Sequence, residues 1–312
     1  MPPSRPTQQD RRMNRLKTTS ANIYGPHIFK ANSELGGMVL LSLAICTLTF
    51  PAQAQNYGGG TGTPQYPYLI YDPNHLQQIG ANPDNWDKHF KLTADIDLGG
   101  YTQDSFNIIG WYEDGQNNEP FTGVFDGKGH TISNFTYTSD AANYVGLFGY
   151  VAGETAAIRN LGLIDPNITC ADGISIGTLA GCIAEGTVNN CYVKGGTVTG
   201  NEKVGALVGQ TGEATISRCF TTCDVMGNDW GIGGLIGDAR QTTISACYAT
   251  GSVTADNWGV GGLVGHQYAG QILTSYATGP VRGTDNGVGG LVGNCLLYTS
   301  DAADELDGVD LG

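Results

Sequence analysis

The stretch Val260-Gly261-Gly262-Leu263-Val264-Gly265 decides the fold, because it returns at a fixed step. Close copies are Val288–Gly293, Ile232–Gly237 and Val204–Gly209, with a looser one at Ile176–Gly181. Each begins 28 residues from the next, and a shorter relative, Val145–Gly149, starts 31 residues before the first. The positions that define the phrase are Gly205, Leu207 and Gly209; Gly233, Leu235 and Gly237; Gly261, Leu263 and Gly265; Gly289, Leu291 and Gly293. A constant period of this size marks a repeat architecture in which each unit buries its apolar face only against its neighbours.

Other columns keep the same step. Val188, Ile216, Ile244 and Ile272 form one; Cys191, Cys219, Cys247 and Ser275 another; Tyr192, Phe220, Tyr248 and Tyr276 a third. Asn201, Asp229, Asn257 and Asp285 form a fourth, followed two residues later by Lys203, Gly231, Gly259 and Gly287. No unit has apolar residues spaced at three and four, and Gly and β-branched residues dominate, so helices are not expected. Three short β-prone runs per unit are expected, in one case Thr243–Thr250, Ser252–Thr254 and Val260–Gly265. A propeller blade needs about 40 residues or more. The period therefore predicts the coils of a parallel β-helix. Which of Val260, Leu263 and Val264 points inward stays open. The Gly-rich phrase is no phosphate cradle, since no helix N-terminus follows it.

Of 312 residues, 48 are Gly and the formal charge is −14, which argues against nucleic acid as a partner. Residues 1–54 read as an export signal. Arg5, Arg11, Arg12, Arg15, Lys17 and Lys30 make a basic leader, Met38–Phe50 is apolar, and Ala52-Gln53-Ala54 suits cleavage. That apolar run is too short to span a membrane, so the mature part is expected to have no transmembrane segment. Residues 55–67 form a Gly/Thr/Pro/Gln linker. Residues 68–120 are expected to cap the open sheet edges of the stack. Within them, Asp72–Gly80 predicts a short helix, capped by Asp72, opened by Pro73 and closed by Gly80. Asn82-Pro83 starts a further turn leading to Trp86. His89–Leu98 alternates as a single half-buried strand. Residues 121–294 hold the repeat body, with Phe121–Phe135 as its first full coil.

The repeated Gly-Leu-x-Gly phrase, with Ile-x-x-Cys-Tyr-Ala-Thr-Gly between copies, resembles the GLUG repeat of secreted and surface bacterial proteins. Leu92–Leu98 and Phe125–Ile132 resemble the segment that leads into such repeats. The resemblance covers roughly residues 66–294 and implies a right-handed β-helix in an adhesin-like extracellular protein. Some relatives join such repeats to a metallopeptidase that cleaves immunoglobulin A. Its His-Glu-x-x-His zinc motif is absent from this sequence, so that activity does not carry over. Cys295–Glu305 and Gly308–Gly312 resemble translated sequencing adapter. Residues 295–312 are accordingly expected to be a non-native tail on a fragment of a longer protein, and resequencing the locus tests this.

Candidate chemistry is sparse. Export would permit disulfides among Cys170, Cys182, Cys191, Cys219, Cys223 and Cys247. A stacked thiol column is nevertheless ordinary core filling, and free thiols are the expectation there. Cys219 and Cys223 lack a second pair and a nearby His, so no zinc site is expected. Asp95 and Asp97 share a strand face, where paired carboxylates could bind calcium or cleave a polysaccharide, but a solvated outer face explains them better. His130 has no identifiable partner and reads as a turn residue. The Asn201/Asp229/Asn257/Asp285 column suits tight turns better than a metal ladder. Trp230 and Trp258 occupy adjacent coils; exposed, they offer a platform for a sugar ring, and packed down they cover a corner. The expected protein is an exported, non-enzymatic β-solenoid serving as a surface or adhesion scaffold, secreted or cell-surface, without cofactor, metal or catalytic residues. Host proteins, extracellular-matrix proteins or glycans are its candidate partners. The alternative is a carbohydrate-binding or polysaccharide-cleaving β-helix.

Overall fold

The structure, a computed structural model, describes residues 57–113 and 117–296. These lie in one compact unit, Ala52–Gly312. The export signal, the first two residues of the linker and residues 297–312 fall outside the described residues. The chain winds into a parallel β-solenoid. Its coils contribute to four parallel sheets of ten, seven, six and five strands. One coil runs Val208–Ser217, Phe220–Thr221, Asp224–Gly227 and Ile232–Gly233, then enters the next at Ile236–Ser245. Register between coils is strict: Val208 lies on Ile236 and Ile236 on Val264, while Ile216 lies on Ile244 and Ile244 on Ile272.

Four strands per coil replace the three runs read from the sequence. Thr243–Thr250 is not one strand. It breaks between Ser245 and Tyr248, at a corner where Ala246 takes φ 52°. The same left-handed corner recurs at Asn190, Arg218 and Thr274, with φ of 53°, 53° and 46°. No Gly stands at these four positions, so the sequence gives no signal of the turn. Val260–Gly265 is likewise split, with Val260–Gly261 in the five-stranded sheet and Val264 opening the ten-stranded one. Val260, Leu263 and Val264 are all fully buried. Their counterparts in the last described coil, Val288 and Leu291, are 43% and 37% exposed.

The lysine in the Gly231/Gly259/Gly287 column is explained by the backbone. Lys203 has φ 53° beside 75°, 72° and 77° for the three glycines, so the first copy tolerates the left-handed conformation that Gly adopts freely. His89–Leu98 also turns a corner. His89–Leu92 joins the ten-stranded sheet and Ile96–Asp97 the seven-stranded one, although Phe90, Leu92, Ile96 and Leu98 all point into the core. Alternation survives because the corner preserves inward and outward faces.

The helix α1 spans Pro73–Ala81, and Asp72 Oδ1 accepts from His75 N at 2.9 Å as an N-cap. Gly80 does not close it. It lies inside α1, where a Cβ would sit 1.9 Å from the Asn107 carbonyl oxygen, so Gly is required by that close approach. Pro83–Asn85 forms a 3₁₀ turn. The segment before Phe121 already lays Tyr68–Ile70 and His89–Leu92 onto the ten-stranded sheet, so it belongs to the stack.

The seven described cysteines are free, and six are buried. Cys219 N donates to Cys247 Sγ at 3.4 Å, and Cys247 N donates to Ser275 Oγ at 3.0 Å, so the column is a hydrogen-bonded ladder between coils. Burial raises the thiols of Cys182 and Cys223 to about 12 and that of Cys170 to about 11. Thiolate is the reactive form. Among the described cysteines, native protein treated with iodoacetamide should therefore label at the exposed Cys295, with the other six reacting only after unfolding. Rapid native labelling of Cys219 or Cys247, read by peptide mass spectrometry, would contradict this packing.

Asp126 is a second tie between coils. Its carboxylate accepts from Arg159 Nε at 3.0 Å, Asn160 Nδ2 at 3.0 Å and Lys128 N at 3.0 Å, and pairs with Lys128 Nζ at 3.1 Å. Burial alone would raise its pKa, but these hydrogen bonds outweigh it and hold the group at about 2. A folded-state pKa below the unfolded one stabilises the native state above the unfolded value and is lost as pH falls through the folded value. Asp126→Asn should therefore flatten the stability profile between pH 3.8 and about 2, measured by urea midpoints.

Candidate binding face at the tryptophan corner

Trp230 and Trp258 stand just before the short strands Ile232–Gly233 and Val260–Gly261, so the 28-residue register brings them together. Their rings stack at 5.5 Å between centroids and 9° between planes, each half-buried. The ammonium of Lys203 lies 5.2 Å from the centre of the Trp230 ring. Trp230 therefore has Trp258 as a stacking neighbour and a cation over its ring. A sugar needs a ring face, and the one with no aromatic ring or cation stacked on it among the described residues is that of Trp258 turned toward the next coil, where Asn286 stands 28 residues on.

Beside the indoles lies a pair that the sequence reading missed. His266 is edge-on to both, at 5.6 Å from Trp230 and 6.2 Å from Trp258. Its Nδ1 is 2.9 Å from Asp238 Oδ1, and Arg240 Nε donates to Asp238 Oδ2 at 2.9 Å. Asp238 is fully buried and His266 is 7% exposed. Their cross-strand register, Asp238 on His266, was visible as a 28-residue step. At the other end of the same column, Tyr150 lies on Cys182, with Tyr112 within 5.1 Å of Tyr150 and 4.8 Å of Tyr144. Burial raises Tyr144 to about 12, reinforced by Cys182, Tyr112 and Tyr150, with Arg240 pulling the other way.

The other candidates resolve into contacts between coils. Asp95 Oδ1 accepts from Thr131 N at 2.8 Å and lies 3.2 Å from His130 Nδ1, so His130 does have a partner. Asp97 Oδ1 accepts from Asn134 Nδ2 at 2.8 Å and Gly99 N at 2.9 Å. The backbone hydrogen bond from Thr131 lowers Asp95, and that from the Asn134 side chain lowers Asp97. Two carboxyls both held toward ionisation do not supply a general acid. In the Asx column, Asn257 Nδ2 donates to Asp229 Oδ1 at 2.8 Å, and Asn257 Oδ1 accepts from Trp258 N at 2.9 Å. On the seven-stranded sheet, Tyr192, Phe220, Tyr248 and Tyr276 stack at 5.0, 4.9 and 5.1 Å. Among the described residues no three His, Cys, Asp or Glu side chains gather around a possible metal position. No helix among them is long and apolar enough to cross a membrane.

The architecture is that of a GLUG-repeat β-helix. The family described as the GLUG motif matches residues 256–282, which include Val260–Gly265. The chain is similar to halomucin of Haloquadratum walsbyi, 38% identical over 150 residues, covering 46% of this chain and 2% of that protein. It is also similar to a protein of Evansella cellulosilytica named as a candidate Gly-rich membrane protein, 38% identical over 118 residues, covering 38% of this chain and 13% of the relative. The matched region is thus a small part of either curated relative. Among solved structures, a candidate immunoglobulin A1 protease from Bacteroides ovatus aligns with a TM-score of 0.58 over 77% of each chain. At 22% identity that likeness concerns the fold.

Proposed function

We propose that this chain is an exported, non-enzymatic β-solenoid acting as an adhesion-type scaffold at or beyond the cell surface. The observation that carries this reading is the use of its polar groups. Asp95, Asp97, Asp126, Asp229 and Asn257 all hold one coil to the next, leaving a rigid stack with side-chain ladders on its outer faces. The basic, apolar and small-residue order of residues 1–54 supports export. Two relatives named a mucin and a membrane protein agree with a place outside the cytoplasm. Peptidase activity is not part of the proposal, since the sequence has no His-Glu-x-x-His motif. Producing the full chain in a bacterial host and treating intact cells with protease tests it. Digestion of surface-exposed chain, or its recovery in the medium, is expected; retention in the cytoplasm sinks the reading. Immunoglobulin A1 incubated with the purified chain should stay intact, and its cleavage would overturn the non-enzymatic part.

A second reading, carbohydrate binding, is favoured by one specific observation: the half-buried Trp258, stacked on Trp230 by one face only, beside a buried histidine whose ring is already oriented. A scaffold that binds a glycan is consistent with both readings.

A further inference from the structure

The coils repeat their side-chain chemistry in several columns of the ten-stranded sheet. Ala180, Val208, Ile236, Val264 and Val292 lie in register, as do Thr187, Thr215 and Thr243. Other columns change in every coil, among them Val151, Ile183, Thr211, Ala239, Gln267, Cys295 and Tyr150, Cys182, Gln210, Asp238, His266, Asn294, and in the second of these a carboxylate meets an imidazole. Stacking alone does not call for such a series. A buried carboxylate and imidazole stand two residues along from the aliphatic column of Val208, Ile236 and Val264, and a carboxylate is costly to take out of water.

The pair is arranged to present one atom. The Asp238 carboxylate accepts only, so the His266 proton that faces it sits on Nδ1, and in the neutral ring the lone pair is on Nε2. His266 is 7% exposed, and Nε2 is not among the fully buried side-chain atoms that lack a partner in the described residues. The Trp258 ring stands beside it, its second face turned toward the next coil. That coil supplies two amides, Asn286 at the ladder position after Trp258 and Asn294 in register with His266. An apolar ring face, a fixed acceptor and two amides that both donate and accept are the groups a polyhydroxylated ring uses. Arg240 and Lys203 nearby disfavour a cation, and the −14 formal charge of the chain disfavours a polyanion.

We propose that Trp258, His266, Asn286 and Asn294, with Asp238 orienting the imidazole, form a binding site for a neutral saccharide ring. This deepens the carbohydrate reading above and is independent of whether the chain is exported. The sugar stacks on Trp258 as the next step of the indole ladder, and one of its hydroxyls donates to His266 Nε2.

The test is titration of the purified full chain with neutral gluco-, manno-, galacto- and N-acetylglucosamine oligosaccharides, with polygalacturonate as the charged comparison. Binding is followed by indole emission and calorimetry. At least one neutral oligosaccharide should bind and shift the emission. His266→Gln should weaken it about tenfold or more, the size of one lost hydrogen bond in a formed site. Trp258→Phe should weaken it, and Trp258→Ala should abolish it. Asp238→Val should match His266→Gln, whereas Asp238→Asn, whose amide oxygen still accepts from Nδ1, should retain binding. Tyr276→Ala, on a different sheet, should change nothing. Circular dichroism and melting confirm that each variant compared is folded. Binding of no neutral member, binding of polygalacturonate alone, or affinity unchanged in both His266→Gln and Trp258→Phe would overturn the proposal. Surface display of a chain that binds no sugar would leave the scaffold reading standing and remove this one.

Discussion

Gly237→Ala should destabilise the stack by roughly 3–5 kcal/mol, among the largest effects a single methyl can have. A Cβ there would lie 2.4 Å from the carbonyl carbon of Lys203, 2.6 Å from the Gly209 carbonyl oxygen and 2.6 Å from Val204 N. All three atoms are main chain, held by the ladder between coils, so no rotamer change relieves the clash. The equivalent positions repeat the problem: 2.4 Å at Gly209, 2.3 Å at Gly265 and 2.4 Å at Gly293. Two controls separate this cause from backbone strain. Gly259 has φ 72° but its nearest atom is 3.3 Å away, so Gly259→Ala should cost about 1 kcal/mol, the price of the left-handed conformation. Gly290 has nothing within 4 Å, so Gly290→Ala should stay within about 0.5 kcal/mol. Solenoids unfold coil by coil. Urea melts should therefore be paired with hydrogen exchange of the Ile236–Ser245 amides. Equal stability of Gly237→Ala and Gly290→Ala would show that the phrase is not kept for close approach.

That ranking explains what was legible in the sequence. Columns of like residues at a constant step require like neighbours, and parallel stacking is the arrangement that supplies them. The phrase Val260–Gly265 could therefore be assigned to a coil without knowing which residues face inward. The corners could not be counted in the same way. Arg218, Ala246 and Thr274 share a left-handed φ but no chemistry, so a sharp turn lies inside what looks like one strand, and four sheets read as three runs. The site was half legible for a related reason. Trp230 and Trp258 are alike and stand out in a column. Asp238 and His266 are unlike, and their pairing shows only when the register is already known. His130 and Asp95, 35 residues apart, fall outside the regular step altogether.

Replacing both members of the buried pair should cost far less than replacing one. His266→Val alone leaves the fully buried Asp238 carboxylate with Arg240 as its remaining side-chain partner, and should destabilise by about 3 kcal/mol. The double variant Asp238→Val with His266→Val puts aliphatic side chains where the adjoining Ile236 and Val264 already stack, and should be within about 1 kcal/mol of the parent or more stable. The two residues touch, so non-additivity of this size is expected, and a double-mutant cycle measured by urea unfolding reads it directly. The comparison bears on function through its sign. If the double variant is as stable as the parent, then stacking does not require the pair, and its place beside the Trp258 ring points to the ligand. If instead the double variant is as unstable as the single one, the pair is a structural tie like Asp126 with Arg159. The saccharide site would then rest on Trp258 and the two amides alone, and His266→Gln should leave binding unchanged.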